Sequence, residues 1–334
     1  MKIAIIGAGA VGSFIAGKLN QAGVKAVLIG RSAQIEVIKS RGLIIQQAGG
    51  ENVIPLKALP RLDQKYDVVI FATRLRDLEQ AFQDNHHFLE HCSILTVQSG
   101  VQGANILSCH FEPQEIIDSQ FFSQCTSAEP GVVHLKKMGE WWLGKRFAPS
   151  DKPLHAIAEL LGEAFVVRVE PQIGAVKWHA LLVDLIYGLP ALIRVPVAQT
   201  YQDQQACRIT TGILKEAVHI LCLANIPLAE FEPFDKKKFM RLAEIQLDQA
   251  SRSFYNDFIR GGRWHSVGCL SHHWQHGAEK EVDFLNGEVY QVARSMRMEA
   301  PCNRLMVDLV HEQENRAQRF SLSEIEKRFQ ALIA

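Results

Sequence analysis

The 334-residue chain has no charge imbalance: Lys and Arg together number 36, as do Asp and Glu, and the formal net charge is zero. A balanced chain has no electrostatic draw toward nucleic acid or anionic lipid, so neither is expected as a partner. It also has no C-x-x-C pair. Cys92, Cys109, Cys125, Cys207, Cys222, Cys269 and Cys302 lie scattered, which predicts reduced, mostly buried thiols in a reducing compartment, the cytoplasm. Uninterrupted apolar runs are missing as well. The apolar start, Met1 to Leu19, is broken by glycines at 7, 9, 12 and 17 with Lys2 the only cation ahead of them, so no signal peptide is expected. The run from Ala180 to Ile193 contains Asp184, Gly188 and Pro190 and is shorter than the ~20 residues a membrane-spanning helix needs. Repeats, low-complexity tracts and coiled-coil heptads are not seen either. What remains, 47% hydrophobic and 22% charged residues, is the balance of a well-cored globular chain long enough for two domains.

The N-terminal residues carry the strongest pattern. Lys2 to Ile6 is a β-branched run that ends at Gly7-Ala8-Gly9-Ala10-Val11-Gly12, and Val11, Phe14, Ile15 and Leu19 then follow at helical spacing. A G-x-G-x-x-G between a strand and a helix is the context that gives this pattern meaning. Gly7 permits a tight turn, Gly9 lets a pyrophosphate approach the backbone, and Gly12 lets helix and strand pack closely. The helix N-terminus offers free N–H groups to phosphates. A second strand, Ala26 to Ile29, ends at Gly30-Arg31-Ser32, where an NAD site has an acidic residue for the ribose 2′-hydroxyl. Arg31 suits a 2′-phosphate instead, and NADP(H) is the expected cofactor.

Strand-like runs at Asp67–Thr73 and Ser93–Ser99 alternate with helix-like segments at Asp77–Asp84 and Ala104–His110, which predicts a parallel, doubly wound sheet. Thr73-Arg74 and Gln98-Ser99-Gly100 should lie at its carboxyl edge, where ligands bind. Val132–Lys136 and Trp141–Lys145 read as a hairpin around Met138-Gly139, and a helix (Leu154–Ala164) and a strand (Val166–Val169) complete a domain over 1–170. Residues 171–334 read as mainly helical, with candidate helices at Val176–Leu189, Cys207–Ala224, Lys236–Asp257, Val282–Met296 and Asn303–Gln318. Val282, Leu285, Val289, Val292 and Met296 form one apolar stripe on the fourth. The fold expected is α/β: an N-terminal Rossmann-type doubly wound sheet followed by a helical domain.

The chain resembles the ketopantoate reductase (2-dehydropantoate 2-reductase) family. The likeness rests on the G-x-G-x-x-G, Gly30-Arg31, Arg41-Gly42-Leu43, Pro130-Gly131-Val132-Val133-His134, and above all Glu281-Val282-Asp283-Phe284-Leu285-Asn286-Gly287 with Ala300-Pro301-Cys302-Asn303 after it. The resemblance implies NADPH-dependent reduction of a small 2-oxo acid, a step of pantothenate biosynthesis. It also implies that Glu281, which matches the glutamate of the family signature T-E-[IV]-D-x-[LI]-N-G, contacts substrate or the cofactor ribose. A carboxylate that merely begins a helix is the alternative. At a helix start, Glu281 is expected beside the core, partly exposed and facing a cleft.

Where the family has a proton-donating lysine and two asparagines, W-x-K-L-x-x-N-x-x-x-N, this chain has Trp178-His179-Ala180-Leu181, then Asp184 and Gly188. Shifting the register by one places His179 at the donor position, followed by Val183 and Tyr187. Lys177 lies seven residues before Asp184, on one helix face, so the two are candidates for a donor and its orienter. The alternative is a helix-end cation that snorkels to water. Arg74 stands where the family has a lysine, and keeps charge without readily giving up a proton. Ser99 stands where the family has an asparagine. Ser266 and Ser271 lie where the family has a serine. His265, His272, His273 and His276 crowd the same stretch; the i, i+4 spacing of His272 and His276 suits zinc, but no third ligand is evident and no metal is expected. Two other functions stay open: a family reductase acting on a different carbonyl, and a non-catalytic NADP(H)-binding protein. Association into a homodimer also stays open.

Overall fold

Ile3–Ile6 (β1) is buried along its whole length, because a run without polar residues suits a strand covered on both faces. The computed structural model describes residues 1–127, 129–230, 235–260 and 279–333, and divides the chain into two units, Met1–Lys177 and Trp178–Ala334. In the first unit β1 is followed by Ala26–Ile29 (β2), Leu43–Gln47 (β3), Gly50–Ile54 (β4), Ala58–Leu59 (β5) and Val68–Phe71 (β6). Ser93–Thr96 (β7), Ile116–Phe121 (β8), Gln124–Thr126 (β9), Val132–Lys137 (β10), Trp141–Gly144 (β11) and Val167–Val169 (β12) complete its described strands.

These strands form an eight-stranded sheet in the order β12-β11-β8-β7-β6-β1-β2-β5 and a four-stranded sheet in the order β4-β3-β10-β9. From β5 to β8 every pairing of the large sheet is parallel, and β11 joins β8 antiparallel. The register is level across the centre: Ile6 pairs with Ile29 on one side and Phe71 on the other, and Phe71 pairs with Thr96. Four strands thus end side by side at one edge.

Helix Ala10–Gln21 (α1) contacts both sheets, which explains why Gly12 through Gly17 are all buried; a helix covered on two sides needs no polar stripe. A Cβ at Gly17 would lie 2.7 Å from Ile45 and 2.9 Å from Leu43, so the fourth glycine of the N-terminal run lets α1 press onto β3. Phe14, Phe121, Trp141 and Phe165 meet edge-on or tilted, with centroids 5.1–6.3 Å apart, in the core.

The expected hairpin at 132–145 does not form. Its arms belong to different sheets: β10 pairs with β3 and β9, while β11 pairs with β8 and β12. The residues between them bind the β8–β9 connection rather than each other. Gly139 N donates to the Ser123 hydroxyl (3.0 Å), which donates back to Gly139 O (3.2 Å), and Phe122 N donates to Glu140 O (3.0 Å). The chain therefore steps from one sheet to the other.

In the second unit Gln204–Leu223 is the central helix, capped by Asp203 and buried along one broad side. The expected helix over 176–189 is two: Ile173–Leu185, which begins in the first unit, and Gly188–Ile193. The expected helix over 236–257 is also broken, into Lys236–Glu244, Leu247–Phe254 and a π-turn at Tyr255–Ile259. The cause lies on the central helix: the Lys215 ammonium takes the carbonyls of Leu242, Ala243 and Ile245 at 2.8, 2.9 and 2.6 Å, ending the first segment. Among the described residues no helix is long and apolar enough to cross a membrane.

Candidate functional site

The level strand ends fix the order of whatever follows them. Next to Gly7, after β1, come Gly30-Arg31 after β2 on one side and Ala72-Thr73-Arg74 after β6 on the other, with the Gln98–Gly100 segment one strand further, after β7. Strands lie about 4.8 Å apart, so these segments line one continuous edge.

The glycine loop is built by close contacts. Gly7 adopts φ +120°, donates its N–H to Ile29 O at 2.8 Å, and lies so near Ala72 that a Cβ would be 2.6 Å from its carbonyl. A Cβ on Gly12 would be 1.9 Å from Gly7 O, so the helix cannot start this close to β1 with any other residue there. Gly9 is different. Nothing lies within 4 Å of where its Cβ would stand, so its face is open to a ligand. Gly9 is also the N-cap of α1, where no described side chain caps the helix and the first turn holds no acid. The first intrahelical bond of the described set is Ser13 N to Gly9 O at 2.9 Å, and the N–H groups of Ala10, Val11 and Gly12 precede it. Such a terminus is a site for a phosphate. Ala8, between the two glycines, is half-buried against the core. An open face with aimed donors fits a dinucleotide pyrophosphate. Arg31 is exposed at the start of helix Ser32–Arg41, and Arg74 and Ser99 are half-buried at their strand ends.

Lys177 does not snorkel. It is 2% exposed, and its ammonium donates to Gln98 O and to Ser119 O (3.1 Å), 3.8 Å from the Asp118 carboxylate. Asp118, 1% exposed on β8, also accepts from the Thr96 hydroxyl (2.8 Å) and Ser119 N (2.9 Å), and lies 3.4 Å from Arg146 Nε. Neither Asp118 nor Arg146 stood out in the sequence. The available signal was an aspartate in the middle of a buried strand, since buried charges are kept only where paired.

The remaining candidates belong to the second unit. His179 is fully buried, its ring edge-on to Phe239 at 5.2 Å, within an aromatic group that includes Phe258. Asp184 is buried on the same helix. Glu281 is 7% exposed, less than the partly exposed position expected, because Glu279–Phe284 forms a 3₁₀ turn and the α-helix starts only at Asn286. Of the apolar stripe, Val282, Leu285 and Val289 are buried and Val292 and Met296 half-buried. Asn286 donates to Asn303 Oδ1 (3.0 Å). The Glu216 carboxylate accepts from Asn303 Nδ2 and N (both 2.8 Å) and from Cys302 N (2.9 Å). Both asparagines are buried; they and Glu216 tie the start of helix Pro301–Glu314 to the central helix. Ser266, Ser271, His265, His272, His273 and His276 lie outside the described residues; among those described, no cluster of His, Cys, Asp and Glu is arranged to hold a metal.

Two family models match along the chain: ketopantoate reductase PanE/ApbA over residues 3–146 and its C-terminal domain over 172–314. The chain belongs to the ketopantoate reductase family. Among curated relatives, the 2-dehydropantoate 2-reductase of Pyrococcus horikoshii is 27% identical over 94% of this chain and 98% of its own length. That of Mesorhizobium japonicum is 34% identical over 65% of this chain and 74% of its own. Solved structures share the fold: D-mandelate dehydrogenase with NADH and anilino(oxo)acetate has a TM-score of 0.77 at 21% identity, covering 94% of this chain and 99% of its own. A ketopantoate reductase of Ralstonia eutropha gives 0.76 at 22% identity over 93% and 98%.

Proposed function

We propose that this family member is an NADPH-dependent reductase of a small 2-oxo acid. The observation that carries the reading is the uncrowded face of Gly9 at the bare start of α1, with Arg31 at the neighbouring strand end. The loop from Gly7 to Gly12 would hold the pyrophosphate and Arg31 the 2′-phosphate, with Arg74 at the strand end on the other side of the loop. Ser99 flanks the same edge. When bound, the nicotinamide supplies a hydride to the substrate carbonyl carbon, and the oxygen then takes a proton, giving the 2-hydroxy acid. Protonation by a positioned acid contributes ~10²–10⁴-fold. Lys177 is engaged with main-chain carbonyls and His179 packs among aromatics, so we assign the proton to Asp184, at the family's first asparagine position in the Trp178 register. Asp184 must enter the step as the neutral carboxylic acid and regain its proton from solvent afterwards. We assign substrate or ribose contact to Glu281. Relatives named for 2-dehydropantoate and a neighbour solved with an oxo-acetate support a 2-oxo acid as substrate.

The test follows NADPH oxidation by absorbance against a panel of 2-oxo acids that includes 2-dehydropantoate and the aryl 2-oxo acid corresponding to mandelate. Turnover with NADPH preferred over NADH, and lost in Asp184→Asn with cofactor affinity kept, is expected. NADPH binding without turnover of any member would replace the reductase by a non-catalytic binder. No NADPH binding would overturn the cofactor assignment itself.

A further inference from the structure

We infer that Asp118, acting through Lys177 and Arg146, positions the Gln98–Val101 turn for the nicotinamide half of the cofactor; this rests on the NADPH reading above. The turn begins where β7 ends, two strands from β1 on the side away from Arg31. A dinucleotide lies across the carboxyl ends of such a sheet, with its adenosine ribose over the end of the second strand. The Gln98–Val101 turn therefore faces the other nucleoside.

The turn is sharply bent, with Gly100 at φ +75°, and it is gripped at both ends. The Lys177 ammonium takes the carbonyl of Gln98, and the Gln98 side chain donates to Phe71 O at 2.9 Å. At the far end the Arg146 guanidinium donates to Val101 O (3.0 and 2.9 Å) and to Asn105 Oδ1 (2.7 Å). Both cations face the one carboxylate of Asp118, at 3.8 and 3.4 Å. A buried cation without a counter-charge is strongly destabilising, so Asp118 is what allows the buried Lys177, beside the half-buried Arg146, to hold a main-chain carbonyl inside the unit. Ion pairing alone would not require each cation to end on a carbonyl of the same turn. Lys177 is in this account a positioning residue.

The experiment measures binding of NADPH and of adenosine 2′,5′-bisphosphate to the full chain by calorimetry, for the parent and for Asp118→Asn. The bisphosphate probes the Arg31 side alone. At least tenfold weaker NADPH binding with bisphosphate affinity within twofold is expected. Equal losses for both ligands, or unchanged NADPH binding, would overturn the inference. If Asp118→Asn does not fold, Lys177→Met releases only the Gln98 end, keeps Arg146 paired with Asp118, and should give the same split. A parent chain that binds the bisphosphate but not NADPH contradicts the placement of the turn, whereas one that binds neither removes the cofactor reading and this inference with it.

Discussion

Two alanine substitutions three residues apart should behave oppositely. In Gly12→Ala the new methyl would sit 1.9 Å from Gly7 O, a main-chain atom that no side-chain rotation can move. Relief requires α1 to shift from β1, and overpacking of this kind costs about 3 kcal/mol. In Gly9→Ala the methyl meets nothing within 4 Å, and the backbone is at φ −79°, which any residue adopts. Loss of a favourable N-cap residue and gain from a less flexible unfolded chain nearly cancel, leaving a change under about 0.5 kcal/mol. The same methyl occupies the open face where phosphate oxygens would approach. Losing one or two charge-assisted hydrogen bonds of roughly 1.5–3 kcal/mol each weakens NADPH by about a hundredfold. At a concentration of 100 Kd, NADPH stabilises the parent by about 2.7 kcal/mol, or about 5–11 °C for a unit of this size. For Gly9→Ala the residual stabilisation at that concentration is about 0.4 kcal/mol, or roughly 1–2 °C. Thermal melts with and without NADPH decide the matter. A Gly9→Ala protein that melts well below the parent without ligand, or that keeps the full NADPH shift, refutes the argument.

Three further outcomes are expected. Arg31→Ala should weaken NADPH while leaving NADH nearly unchanged, and equal parental affinities for the two cofactors would contradict the 2′-phosphate assignment. Glu216→Ala removes the acceptor for Cys302 N, Asn303 N and Asn303 Nδ2, so chemical denaturation should report a loss of about 2–4 kcal/mol; under about 1 kcal/mol would mean that the cap is idle. Burial pushes the Cys92 and Cys207 thiols up to about 12, and since the thiolate is the reactive form, alkylation at pH 8 should label the exposed Cys109 and Cys222 ahead of Cys92 and Cys207, as peptide mass mapping would show.

What the sequence disclosed was local. The glycine loop, the helix after it and Arg31 lie within a short stretch whose pattern encodes its own geometry, and the alternation of strands and helices implied the parallel sheet. Pairing across long separations was not legible. Val132–Lys137 and Trp141–Gly144 look like hairpin arms because they flank a Met-Gly, yet their partners are β3 and β8. The break at Ile245 depends on Lys215, a residue of another helix. Lys177 was conspicuous as a lysine near the family's donor position. Its environment was hidden, because the groups that hold it, Gln98, Asp118 and Ser119, come from distant strands.

The same distinction bears on what a signature certifies. Asn286 and Asn303 belong to the most specific matches in the chain, yet each is buried, with its described side-chain bonds running to other protein groups. In this chain they help dock the start of helix Pro301–Glu314 on Gln204–Leu223, through Ile213 O and the Glu216 carboxylate. In neither register does the helix at Trp178–Gly188 supply a lysine or an asparagine at the positions the family resemblance implies, and that network is intact all the same. A chain can therefore keep the family's fold-determining residues while its proton chemistry changes independently. Identity of reaction has to be argued from the helix at Trp178–Gly188 and from Glu281, not from the strength of the signature around them. This is why the 2-oxo acid panel, rather than 2-dehydropantoate alone, is the informative assay.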